Sequence, residues 1–136
     1  MTLKHARGNF RALSPFLKAV DESPRGWRRF TSSGYMPLSV ERLYYDHNGY
    51  PVYSVCHYGR QNGDLMCDPE ITVAVCADDG AVFPLSFRND YTGTHQQVYT
   101  DDGMRPGLRR DLDAFLSGWL KNLTAQGFDA AVFDQD

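Results

Sequence analysis

The densest group of polar side chains in the chain lies between two β-like segments, Val52–Tyr58 and Ile71–Val75. The fourteen residues from His57 to Glu70 bring together His57, Tyr58, Arg60, Gln61, Asn62, Asp64, Asp68 and Glu70. A hard divalent cation such as magnesium takes carboxylate oxygens and often needs only one or two of them from the protein. Asp64, Asp68 and Glu70, with His57 and Asp90 as auxiliary groups, are therefore enough for a cation site or an acid/base set. On a regular strand Asp68 and Glu70 share a face, while Asp64 follows the Asn62-Gly63 turn signal. No lysine stands in the run, so a phosphate transition state would have to be neutralised by Arg60 or Arg88. The plainer alternative is that these Asp and Asn side chains close turns on backbone N–H groups, and that Glu70 guards a sheet edge.

Other chemistries are less well served. Cys56, Cys67 and Cys76 are spaced by eleven and nine positions without a C-x-x-C knuckle, so neither a structural zinc site nor any cofactor is expected. Their odd number and their places on or beside strand-like runs suit reduced thiols acting as small hydrophobes, in a cytoplasmic setting. An imidazole from His57 or His95 would activate Cys56 or Cys67 as a nucleophile only if the two converged. Adjacent Cys56 and His57 point to opposite faces of a strand and cannot pair directly. Gly59 and Gly63 bracket a turn, but no GK[ST] continuation follows, so a P-loop is unsupported.

A second constellation, Arg25-Gly26-Trp27-Arg28-Arg29-Phe30, interleaves guanidinium groups with aromatic rings. That combination serves nucleic-acid surfaces and protein hot spots alike, or the aromatics pack under the sheet while the arginines stay solvated. The formal charge of −3 hides an asymmetry: residues 1–30 carry seven basic against two acidic groups, and residues 31–136 carry seven basic against fifteen acidic groups. A basic end facing an anionic partner and a basic end pairing with its own acidic body are both open.

These residues need a scaffold, and the apolar pattern describes one. Phe10, Leu13, Phe16, Leu17 and Val20 recur at helical spacing, with Ser14 as the expected N-cap and Pro15 at the first helical position. From Leu38 to Thr100 short β-rich runs alternate with Asn48-Gly49, Asn62-Gly63, Asp79-Gly80 and Asp102-Gly103, which supply the backbone torsions of tight turns. The expected strands are Leu38–Tyr45, Tyr50–Tyr58, Glu70–Ala77, Ala81–Phe87 and Thr94–Thr100, with an edge or a bulge at Pro84. Leu108, Leu112, Phe115, Leu116, Trp119, Leu120 and Leu123 form the apolar stripe of a C-terminal helix that stops at Gly127. The fold class is α+β: an antiparallel meander of four to five strands flanked by an N-terminal helix and a C-terminal amphipathic helix. With 136 residues and 42% hydrophobic content, one domain is the expectation. It divides into a basic helix and connector (1–33), a core (34–128) and an acidic tail (129–136). No signal peptide is expected, and no apolar run reaches the ~20 residues a spanning helix needs, so a membrane partner is not expected.

At His57-Tyr58-x-x-Gln61-Asn62-Gly63-Asp64-Leu65-Met66-x-Asp68-Pro69-Glu70 the chain resembles an uncharacterised domain family of bacterial plasmids, phages and integrative elements. The resemblance continues at Gly34–Leu38, Phe83–Asp90 and Phe115–Phe128. It carries no assigned reaction and implies a setting, that of small accessory proteins of mobile elements. In that setting the expected function is binding and inhibition of a host protein or ribonucleoprotein complex, such as a defence system built on an RNA-guided nuclease. The partner-binding candidates are Arg25, Trp27, Arg28, Arg29, His57, Tyr58, Gln61, Asn62, Asp64, Asp68, Glu70 and Asp90. Direct nucleic-acid contact through the basic N-terminal segment is a further option. The enzymatic alternative is a small metal-dependent hydrolase or nuclease using the His57–Glu70 carboxylates.

Overall fold

The computed structural model describes residues 3–135. The chain runs α1 (Ala6–Asp21), β1 (Trp27–Phe30), β2 (Leu38–Tyr45), β3 (Pro51–Gln61), β4 (Asp64–Cys76), β5 (Ala81–Asn89), β6 (Thr94–Gln97), β7 (Tyr99–Thr100), β8 (Gly103–Met104) and α2 (Pro106–Ala125). Strands β1 to β6 form one antiparallel sheet in sequence order, and β7 and β8 a separate small hairpin. The class and flanking helices are as the sequence implies, but the sheet has six strands rather than four or five. The extra strand, β1, lies in the segment read as a connector. Its alternation is hidden because Arg28, a charged residue, is on the buried side with Phe30.

The helices cover one face of the sheet. Leu13, Leu17 and Val20 of α1 and Leu116, Trp119, Leu120 and Leu123 of α2 pack with Leu38, Val40, Val55, Ile71 and Val73 in a single core. Burying side chains of this size is worth roughly 1.5–3 kcal/mol each before the entropy of ordering is charged. Phe30 sits at the centre of the β1 end, edge-on to Phe16 at 4.9 Å and to Phe133 of the tail at 5.9 Å. The tail returns alongside β1, where Asp134 N–H bonds the Arg29 carbonyl at 2.9 Å.

Helix α1 begins at Ala6, not at Pro15, and holds Pro15 in its interior. An interior proline costs about 3 kcal/mol or more. Here that is offset by extending the buried stripe back through Leu13, Asn9 and Ala6, with Pro15 itself on the exposed side. The new start is held by α2: Asp113 Oδ2 accepts the His5 N–H at 2.9 Å, and the Asn9 amide donates to the Asp113 carbonyl at 3.2 Å. A buried carboxylate at a helix N-terminus satisfies an orphan donor and complements the dipole. At the other end of the chain, α2 stops at Gln126 and Gly127 (φ 86°), where the Phe128 N–H bonds the Leu123 carbonyl at 3.1 Å.

The expected disturbance at Pro84 is a bulge: β4 and β5 change register between Thr72 and Val73, opposite the Pro84–Ser86 stretch. No helix of the described chain is long and apolar enough to cross a membrane.

Candidate functional site

The face of the sheet turned away from the helices is polar, as the register shows. Trp27 and Arg29 of β1 pair with Glu41 and Ser39 of β2. Those in turn align with Ser54 and Cys56 of β3, Thr72 and Glu70 of β4, and Ser86 and Arg88 of β5. Directly paired residues of an antiparallel sheet point to the same side, so this row crosses the sheet on one face. At its β1–β3 end it forms a groove of about 710 Å³ whose walls include Trp27, Arg29, Glu41, Tyr58, Arg60 and Leu65. The guanidinium of Arg25 stacks on Trp27, 4.1 Å from the ring centroid. Thr72 of the row, with Leu85 and Gln97, also lines a smaller hollow bordered by exposed Tyr44, Tyr45 and Tyr99.

The β3–β4 hairpin carries the sequence's polar run and does not gather its carboxylates. Its tip is a two-residue turn in which Asn62 (φ 52°) and Gly63 (φ 85°) both adopt positive torsions, the geometry that joins twisted strands. Gln61 and Asp64 flank the turn as an exposed pair. Further in, Tyr58 pairs with Cys67 and Cys56 with Glu70, so Asp68 and Pro69 together oppose His57 alone. This bulge overturns the expected shared face of Asp68 and Glu70. Asp68 instead accepts a bond from Asn89 at 3.1 Å, while Glu70 accepts one from the Ser54 hydroxyl at 2.6 Å.

Asp90 closes the neighbouring ladder. Its carboxylate accepts the Arg88 Nε–H at 2.7 Å and the Cys67 N–H at 2.8 Å, and these bonds hold its pKa below the ordinary carboxylate value. Tyr91 then folds back to Arg60, its hydroxyl donating to that carbonyl at 3.4 Å. It passes so close to Gly59 that a Cβ there would lie 2.5 Å from the hydroxyl.

His57 is on the helix side of the sheet. It pairs with Leu38, its ring lies 5.4 Å from Trp119 and 5.9 Å from Phe128, and its Nδ1 is 3.0 Å from the Pro37 carbonyl. It is a buried structural side chain, across the sheet from Cys56 and Tyr58, and does not join a carboxylate site. Among the described residues the one group of three metal-capable side chains is a different set: the ligand atoms of Cys56, Cys67 and Glu70 all lie within 4.8 Å of one another. Burial pushes both thiols above their usual range, so without a cation they are weak nucleophiles. Spacing alone could not reveal this set, because positions 67 and 70 reach one face only through the extra residue of the bulge.

The basic connector is likewise divided. Arg28 turns to the helix side, where its Nε donates to the Ala19 carbonyl at 2.7 Å and its guanidinium lies 4.1 Å from the centroid of the Phe133 ring. Arg29 is exposed on the groove side and ion-paired with Asp134. Arg25, Trp27 and Arg29 thus belong to the open face, and Arg28 and Phe30 to the core. A separate basic groove, with Lys4, Arg7, Arg11 and Lys121 among its walls, lies between the two helices.

Residues 11–129 match the family described as a domain of unknown function, DUF6908, and the chain belongs to that family. The match extends back through β1 into α1, beyond the 34–128 core that carries the resemblance. No curated protein and no solved structure matches the chain.

Proposed function

We propose that this member of the family is a binding protein of a mobile genetic element, docking on a host protein or ribonucleoprotein complex through the open face of its sheet and inhibiting it. The observation that carries the reading is the asymmetry of the sheet. One face is closed by two helices, and the other keeps a groove with an Arg-stacked tryptophan, a tyrosine, an exposed leucine and charges of both signs. Aromatic and arginine anchors inside a polar surround are the composition of a protein hot spot. The mixture of Arg29, Arg60 and Glu41 favours a partner surface of mixed charge over a bare phosphate backbone, which would call for cations alone. Inhibition of a defence nuclease adds the mobile-element setting to this surface.

The test is affinity capture of the tagged chain from a defence-competent bacterial host, with and without nuclease, beside a groove variant carrying Arg60→Glu and Leu65→Glu. Both positions are exposed, so the variant should keep its fold. The reading expects one stoichiometric complex that survives nuclease and is lost with the variant. Equal capture by the variant, or loss of the complex with nuclease alone, contradicts docking through this face.

A further inference from the structure

Beneath the groove the structure assigns a cation site that goes beyond docking: we propose that Cys56, Cys67 and Glu70 bind a single borderline divalent metal ion of the zinc type. Three features converge. The two sulfurs and a carboxylate oxygen lie within 4.8 Å of one another. Thiolate–zinc bonds of about 2.3 Å place the ligands of a tetrahedral site roughly 3.5–4 Å apart, so a small contraction of existing side chains suffices. The ligands also come from paired positions on two adjacent strands, Cys56 opposite Glu70 and Cys67 opposite Tyr58. A regular β4 would send Cys67 and Glu70 to opposite faces, and the two-residue bulge at Asp68 and Pro69 brings them to the same one.

The third feature is the surrounding shell. Ser54 donates to Glu70 Oε2 at 2.6 Å, the kind of outer bond that orients a ligating carboxylate. Cys56 and Cys67 are buried, while Glu70 is half-buried and its partner Ser54 lines the groove, giving an ion a way in. Two sulfurs select a borderline or soft ion over magnesium or calcium. Three protein ligands leave one position for water or for a side chain of a bound partner. On binding, two thiol protons pass to solvent and the two thiolates and the carboxylate hold the ion. Cys76 takes no part: its sulfur faces Asp79 at 3.4 Å, at the far end of β4.

Cobalt(II) is the probe, because thiolate ligation gives a sulfur-to-cobalt charge-transfer band in the near ultraviolet. The full chain, stripped with chelator and kept reduced, would be titrated with Co²⁺ and then with Zn²⁺ as competitor. Wild type and Cys76→Ser should each bind one equivalent with that band, and zinc should displace it. Cys56→Ser and Cys67→Ser should lose the band, and Glu70→Gln should keep a weaker one with affinity lowered about tenfold or more, since losing a ligand costs at least what losing an outer partner of one does. Circular dichroism identifies any serine variant that fails to fold, in which case Glu70→Gln, altered at a half-exposed residue, decides. A wild-type chain with three titratable thiols and no band, or a Glu70→Gln variant binding as wild type does, overturns the site.

Discussion

The two faces of the six-stranded sheet differ in kind. The helix-covered face is apolar from β1 to β5, and several polar groups buried between it and the helices are tied down: Arg28 to the Ala19 carbonyl, His57 to Pro37, Asn9 to Asp113. The open face carries Ser39, Glu41, Ser54, Glu70, Thr72 and Arg88 in one row, with Trp27 at its edge. Folding therefore draws its main apolar cluster from one side and leaves most of the chemical variety to the other, so polar density in the sequence is a guide to function only once each residue has been assigned to a face. His57 and Arg28 show the consequence, since both belong to polar runs and both are structural.

The largest expected contrast between the faces is in stability. Phe30→Ala removes a fully buried ring that contacts Phe16 and Phe133, and should cost about 3–5 kcal/mol in urea unfolding. Leu65→Ala, on the groove wall and more than half exposed (58%), should stay within about 0.5 kcal/mol. Similar losses from both would erase the distinction. Next comes the joint between the helices: Asp113→Ala deprives the His5 N–H of its acceptor and should cost about 1–2 kcal/mol.

An opposite and smaller effect is expected on the outer side of α2. Gly118 is exposed and an added Cβ meets nothing within 4 Å, so Gly118→Ala should stabilise by about 0.5–1 kcal/mol. A loss there would mean that this surface is more crowded than its geometry indicates. Smallest is the acid response of Asp90. Its pKa is lowered by Arg88 and by the Cys67 N–H. Its contribution is therefore present above the ordinary carboxylate pKa and fades as the pH falls through the lowered value. Asp90→Asn should flatten that part of the acid unfolding curve, and an unchanged curve would mean that the carboxylate is as well solvated folded as unfolded.

Much of the scaffold is legible in the sequence, because it rests on periodicity and turn chemistry. The Leu108 to Leu123 stripe, the Gly127 stop and the Asn62-Gly63 hairpin follow from spacing and backbone torsion alone. Strand β1 was hidden by one buried arginine, and the start of α1 by a proline whose cost is offset through contacts more than a hundred residues away. The site was the least legible part. An alternating strand puts Asp68 and Glu70 together, whereas a single extra residue in β4 separates them and joins Cys67 to Glu70 instead. Register is a property of the pair of strands, and neither strand's own sequence states it.

The central claim is that the open face binds and the helix face does not. Its most direct test is quantitative binding of the captured complex to two variants that introduce acidic groups: Arg60→Glu with Leu65→Glu on the groove, and Arg11→Glu with Lys121→Glu on the basic hollow between the helices. The account predicts loss of binding with the first variant and affinity within a few-fold of wild type with the second. Loss with the second and retention with the first would contradict it, and would move the interface to the helices.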